Sequence, residues 1–339
     1  MKEIPMTEHN WPVYGHDWAV EHLRKGLANN RIRHAYLITG PESVGKDTLA
    51  RAFAQTLNCT HPDESARPCG ECRSCKLIAS GNHPDMIYSE LDANTGALKI
   101  EEVRTVSQKL ALKPYEARYR IAIFRDFDHA RGQAQDALLK TLEEPPPQAL
   151  LILLAPSADV LLPTITSRSQ IIPLRPLAPD VVKQILIDHK GASPDKADVL
   201  AGLCGGRLGW AIRALEDEDM LDQRERALSL LENLLDVTRA KRFDLADDLS
   251  KDKLALYPLL ELWQSYWRDV VLMCQNAPVP PANRDRRDQI ERLSARLTYE
   301  EALGALEATR TMLRNLSMNL NLRLALEVMF LDYPGLRKA

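Results

Sequence analysis

The sequence predicts an α/β module built on a parallel sheet, followed by a second half that is entirely helical. Three observations carry this: short apolar runs alternate with amphipathic helical stretches in the first half, strand-like runs stop after Leu174, and longer segments with apolar residues at helical spacing follow. The first run, Ala35-Tyr36-Leu37-Ile38-Thr39, leads into Gly40-Pro41, then Gly45-Lys46 and the helix-like LARAFAQTL, which reads as strand, loop, helix. The second, Arg120-Ile121-Ala122-Ile123-Phe124, ends in Arg125-Asp126-Phe127-Asp128 and precedes the helical AQDALLKTLEE, stopped by three prolines. The third is Leu150-Leu151-Ile152-Leu153-Leu154. Nearly continuous apolar runs of this kind suit strands covered on both faces.

A linker is expected near Arg175 to Ala178. From Pro179 to about Glu218 two or three short helices surround the Gly205-Gly206 turn, and from Met220 onward the pattern is all helix, as in LALYPLLELWQSYWRDVVLM. The stretch Asn276 to Arg287, with three prolines and several charges, reads as an exposed connection between two helices.

A chain of 339 residues is long enough for two or three domains. Its 44 basic and 47 acidic side chains leave a net charge of −3, and the pI is near 6.3. That balance lacks the basic footprint of a protein gripping nucleic acid alone, so protein partners are the first expectation. Mean hydropathy is −0.29, no run of eighteen apolar residues occurs, and the first residues lack the apolar core of a signal peptide. A cytoplasmic location and no membrane partner are therefore expected.

Four of the six cysteines, Cys59, Cys69, Cys72 and Cys75, fall in the pattern C-x9-C-x2-C-x2-C. In a reducing compartment such clustering points to metal rather than disulfides. Four thiolates can enclose a tetrahedral Zn²⁺, with Gly70 relieving the bend, and a site closed in this way is structural rather than catalytic. His61 and His83 read as ordinary polar residues, and Cys204 and Cys274 as small buried packing groups.

Gly40-Pro41-Glu42-Ser43-Val44-Gly45-Lys46 fits a phosphate-binding loop, whose backbone N–H groups and lysine surround phosphate oxygens. The next position normally carries a hydroxyl for Mg²⁺. Here it is Asp47, with Thr48 displaced by one. The second strand would normally end in an acidic pair, yet it ends in Arg125-Asp126. Both protein groups that usually hold Mg²⁺ have thus changed, with opposite signs. Asp47 and Arg125 are expected either to form an ion pair in that corner or to stand as two independent exposed charges.

Taken together, His34-Ala35-Tyr36-Leu37, the GPESVGK loop, the four-cysteine insertion, ALLKTLEEPP over 137–146 and Thr166-Ser167-Arg168 resemble bacterial DNA polymerase III clamp-loader subunits, a branch of the AAA+ family. The resemblance is strong over about the first half. Beyond it the echoes are Trp267-Arg268-Asp269 and the NLNLRLALE segment beginning at Asn319. It implies an α/β AAA+ P-loop domain over 1–176 with a zinc-binding insertion at 59–75, a helical lid over 177–218, and a helical collar for oligomerisation over 219–339. Asp47, Arg125 and Gly209, the last standing where motor subunits carry a nucleotide-sensing lid arginine, favour the non-motor delta-prime type over the gamma/tau motor type. The resemblance then implies a subunit with no ATP hydrolysis of its own, assisting ATP-driven loading of the sliding clamp on primed DNA. Its partners would be gamma/tau and delta subunits and the clamp, with DNA reached through the assembly. ATP and Mg²⁺ belong to that assembly, while Gly40, Gly45, Lys46, Asp47 and Thr48 form a degenerate phosphate loop and Arg125 and Asp126 an altered acidic strand end, where Lys46 and the loop backbone could hold phosphates weakly without turnover.

Within this resemblance the family's Ser-Arg-Cys motif is Ser167-Arg168-Ser169, so Arg168 inherits the role of an arginine finger reaching a neighbouring ATP site. The plainer reading pairs Arg168 with an acidic neighbour. Two other readings of the whole chain stay open: an active gamma/tau-like ATPase, and a purely structural scaffold. Trp263 and Trp267, four residues apart, read as helix packing rather than base-stacking platforms, since no dense basic patch surrounds them. None of the motifs forms the two-metal carboxylate cluster of a polymerase site.

Overall fold

A computed structural model describes residues 10–336 except 94, 218, 280 and 317–319. The chain divides into two compact units, one extending through Ile185 and including Gly206–Trp210, the other formed by Leu186–Gly205 and the residues from Ala211 onward.

The first unit is built on a parallel sheet of β1 (Ala35–Thr39), β2 (Met86–Tyr88), β3 (Arg120–Phe124), β4 (Ala149–Ala155) and β5 (Gln170–Pro173), in the order β2-β3-β4-β1-β5. The three apolar runs become the central strands. Their alternate residues feed two separate cores, which is why they read as continuously apolar. Tyr36 and Ile38 of β1, Ile121 and Ile123 of β3, and Leu150, Ile152 and Leu154 of β4 pack on one face with helices α1 (Asp17–Ala28), α2 (Lys46–Asn58) and α3 (Arg73–Ala79). Leu37, Ala122, Phe124, Leu151 and Leu153 pack on the other with α4 (Ile100–Leu110), α5 (Gly132–Glu143) and the short α6 (Pro163–Thr166). The short strands β2 and β5 escape a pattern search, being three and four residues long. Pro173 is tolerated in β5 because that strand is an edge.

The expected linker at Arg175–Ala178 lies inside this unit. Leu174 N–H donates to Thr39 O at 2.7 Å and Leu177 N–H to Gly206 O at 2.9 Å, so the segment is held at both ends.

The second unit is helical. Its core gathers Trp263, Tyr266 and Trp267 from helix Lys253–Cys274 with Phe330 and Tyr333, all essentially without solvent exposure. Both tryptophans are therefore packing residues, and Trp263 Nε1 donates to Ala227 O at 2.9 Å. Cys204 is buried as expected, whereas Cys274 is only half-buried. The connection 276–287 is mostly exposed as expected, with two exceptions among its described residues. Asn283 and Arg286 are buried: Asn283 N–H and side-chain N–H both donate to Asp269 at 2.8 Å, while Arg224 bonds Asn283 and Asp285. These two polar residues can be buried because each finds a partner, Arg286 in Glu225 and Glu232. Asn319, where the second echo begins, lies outside the described residues. Among the described residues no helix is long and apolar enough to cross a membrane.

Candidate functional site

The phosphate loop joins the C-terminal end of β1 to α2, the usual place for a ligand in a parallel sheet. Gly45 has φ +113°, a conformation that allows the backbone to turn directly into the helix. The lysine folds over the loop, its Nζ donating to Gly40 O at 2.6 Å and Pro41 O at 2.9 Å. Burial pulls the Lys46 ammonium below its ordinary value, opposed by the carboxylates of Asp126, Asp128 and Glu42. Asp126 itself is exposed in a left-handed turn, φ +47°, just past β3. Burial raises the Asp128 carboxyl. On the loop's outer side, His16 Nε2 lies 2.9 Å from Val44 O, and Gly209 N–H donates to Ser43 O at 2.8 Å. A Cβ at position 209 would stand 2.8 Å from that same oxygen, so only glycine fits. Thr48 is half-buried one residue further along α2.

Asp47 and Arg125 meet. Arg125 Nε is 2.9 Å from Asp47 Oδ1, and Arg51 Nε, one helical turn beyond Asp47, is 2.8 Å from Oδ2. The Arg125 guanidinium also lies over the Tyr88 ring, 4.6 Å from its centroid. The corner where a hydroxyl and a carboxylate would hold a divalent cation is thus an Arg–Asp–Arg cluster backed by an aromatic ring. Two guanidiniums repel Mg²⁺ and occupy both oxygens of the Asp47 carboxylate.

At the far end of α2, the four cysteine sulfurs lie within 4.8 Å of one another. Cys59 and Cys69 Sγ are 3.6 Å apart, and Cys59 and Cys72 Sγ 3.9 Å, matching the ~3.8 Å edge of a tetrahedron with ~2.3 Å Zn–S bonds. Backbone N–H groups of His61, Cys72 and Cys75 point at the sulfurs of Cys59, Cys69 and Cys72. Burial opposes ionisation of Cys72, yet hydrogen bonds from Thr60 and Cys75 outweigh it and bring this thiol down to about 6. Burial pushes Cys59 and Cys75 up. Gly70 takes φ +71° at the bend. This donor set fits Zn²⁺, whose charge would offset the burial of the thiolates.

Polar groups flanking the insertion, Asn58 and Asp85 among them, fasten the approach to β3. Asn58 exchanges two 3.0 Å hydrogen bonds with the Tyr119 backbone. Asp85, fully buried, accepts from the backbone N–H groups of Tyr115, Glu116 and Ala117 at 2.6, 2.9 and 2.9 Å and from Arg120 Nη1 at 3.1 Å. Burial opposes its ionisation, but those donors win and hold its carboxyl below the usual range. His83 is buried and bonds Ser74 Oγ and Asp85 N, as an ordinary structural histidine does. His61 is equally local, its Nδ1 accepting from Asp63 N–H at 3.2 Å.

Arg168 follows α6 at the surface, its side chain 38% exposed. Its Nη2 lies 2.9 Å from Glu143 Oε1, and its Nη1 donates to Thr164 O at 3.1 Å. The acidic neighbour of the plainer reading therefore exists, and it belongs to the ALLKTLEEPP helix. Arg51 was legible from its i, i+4 spacing to Asp47. Tyr88, Asp85 and Glu143 carried no such signal, since strand order and helix packing bring them in.

The parallel sheet, the phosphate loop at the β1–α2 junction and the helical second half define a P-loop protein of the AAA+ class. A crystal structure of a DNA polymerase III gamma subunit-related protein from Thermotoga maritima shares this fold, with a TM-score of 0.51 and 17% identity over 94% of this chain and 100% of that one. The family described as "DNA polymerase III, delta subunit" matches residues 15–178. The tau/gamma subunit of Haemophilus influenzae is 39% identical over 156 residues, 46% of this chain, and the delta' subunit of Pseudomonas aeruginosa is 30% identical over 236 residues, 68% of this chain. The chain spans 22% and 66% of those two relatives. It belongs to the clamp-loader family of DNA polymerase III subunits.

Proposed function

We propose that this chain is a non-motor, delta-prime-type clamp-loader subunit that assists ATP-driven loading of the sliding clamp on primed DNA and lends Arg168 to a neighbouring subunit's ATP site. The observation that carries the non-motor reading is the Arg51–Asp47–Arg125 cluster, which fills the Mg²⁺ corner with protein charge. Lys46, turned onto its own loop carbonyls, and Gly209, pressed against Ser43, point the same way. In this reading the α/β AAA+ domain spans 1–176, the lid 177–218 and the collar 219–339. The four cysteines hold a structural Zn²⁺, and the partners are gamma/tau and delta subunits in the cytoplasm. Arg168 serves as the finger because a guanidinium delivered in trans stabilises charge on the transferring phosphoryl group.

The test is the DNA- and clamp-stimulated ATPase of the loader reconstituted from its subunits. Arg168→Ala, assembling normally, should cut turnover by about a thousandfold at the site it serves. An unchanged rate would refute the finger. The 39% identity to a tau/gamma subunit keeps an active ATPase as the second reading, and Mg²⁺-dependent hydrolysis by the isolated chain would establish it in place of the first.

A further inference from the structure

The geometry points to Glu143 as the positioning residue for Arg168, with helix α5 acting as the jig that sets the finger's place and aim. This rests on the finger reading above. Three contacts between α5 and the 162–168 segment carry it. At the near end, Gln135, 5% exposed, accepts the Leu162 N–H through Oε1 at 2.8 Å while its Nε2 donates to Ala130 O at 2.9 Å, so its amide is fixed in one orientation. In the middle, Leu138 and Leu142 share a core with Ile165, which is fully buried. At the far end, Glu143 takes the Arg168 guanidinium at 2.9 Å. The segment is therefore held by α5 at its entrance, its middle and its exit.

The chemistry suits a grip from behind. Arginine has five N–H donors in a rigid fork. Glu143 and Thr164 O take one nitrogen each, and Ser167 Oγ stands 3.5 Å from Nη1, so part of the fork still faces outward. A free arginine loses rotamer entropy when it is fixed, and ordering it beforehand removes part of that cost from the moment it meets phosphate. Glu143 is 51% exposed, and a surface pair of this kind is weak, so the finger stays free to adjust. The prolines after Glu144 end α5 where Glu143 lies beside Arg168, which gives the acidic end of ALLKTLEEPP a role beyond helix packing.

The test uses the complete reconstituted loader and a double-mutant cycle. The component of stimulated ATPase removed by Arg168→Ala defines the finger's contribution. Glu143→Ala should lower that component roughly tenfold, as for a misplaced group. The loss should fall on kcat with KM for ATP unchanged, and should add nothing in the Arg168→Ala background. Glu143→Gln, which keeps an acceptor of the same length, should restore most of the component and guards against a folding defect in the alanine variant. If Arg168→Ala is slow while Glu143→Ala is not, or the two losses add, or Glu143→Gln is as slow as Glu143→Ala, the positioning role is overturned and the finger survives. If Arg168→Ala itself changes nothing, both fall.

Discussion

Replacing Asp85 by asparagine removes the charge on which the approach to β3 is organised. Each carboxylate oxygen accepts two donors: Oδ1 from Tyr115 N–H and Arg120, Oδ2 from Glu116 and Ala117 N–H. An asparagine amide keeps one oxygen, so whichever way it turns, its NH₂ faces two donors and two hydrogen bonds are lost. At ~1.5–3 kcal/mol for a bond to a charged group, less some local relaxation, the cost is about 3 kcal/mol. The assay is amide hydrogen exchange of residues 113–119, where about 3 kcal/mol corresponds to a loss of protection of roughly a hundredfold. The same charge sets a pH dependence. The folded carboxyl lies below its unfolded value of 3.8, so its stabilisation is complete above that value and is lost as pH falls through the folded pKa. Wild type should therefore lose protection in this segment only in acid, and Asp85→Asn should lose it at pH 7 with no further acid step. Equal protection in the two proteins at pH 7 would refute the argument.

Cys72→Ser should abolish stoichiometric zinc in metal analysis and lower the melting temperature of the first unit; retained zinc would count against the four-thiolate site. Lys46→Ala should leave the assembled loader's ATPase close to wild type, and a large loss with normal assembly would mean that this phosphate loop is working. In the second unit, Arg242 is 4% exposed and donates to the carbonyls of Phe330, Tyr333 and Pro334 at 2.7, 2.9 and 2.9 Å, closing the end of helix Leu322–Asp332. Arg242→Met should cost about 3 kcal/mol in urea unfolding by stranding those carbonyls, and an unchanged midpoint would show that water replaces the guanidinium.

Much of this protein was legible in local sequence. The three central strands, the phosphate loop and the cysteine cluster each depend on residues close together in the chain, where period and spacing translate directly into geometry. The opposite charges at Asp47 and Arg125 were visible too, since the loop and strand motifs that contain them have known relative places in a P-loop sheet. What sequence left open was which charges touch. Arg125 reaching the carboxylate that Arg51 meets from its own helix, Tyr88 beneath Arg125, Asp85 under the 113–118 turn and Glu143 beside Arg168 all depend on distances across elements far apart in the chain. The same holds for Asn283, which lies in the otherwise largely exposed connection 276–287 and is buried because Asp269 and Arg224 supply its partners. A polar side chain carries no mark of burial in its own sequence; only the partners that tertiary packing brings within hydrogen-bond reach decide whether it stays in water or becomes part of the core.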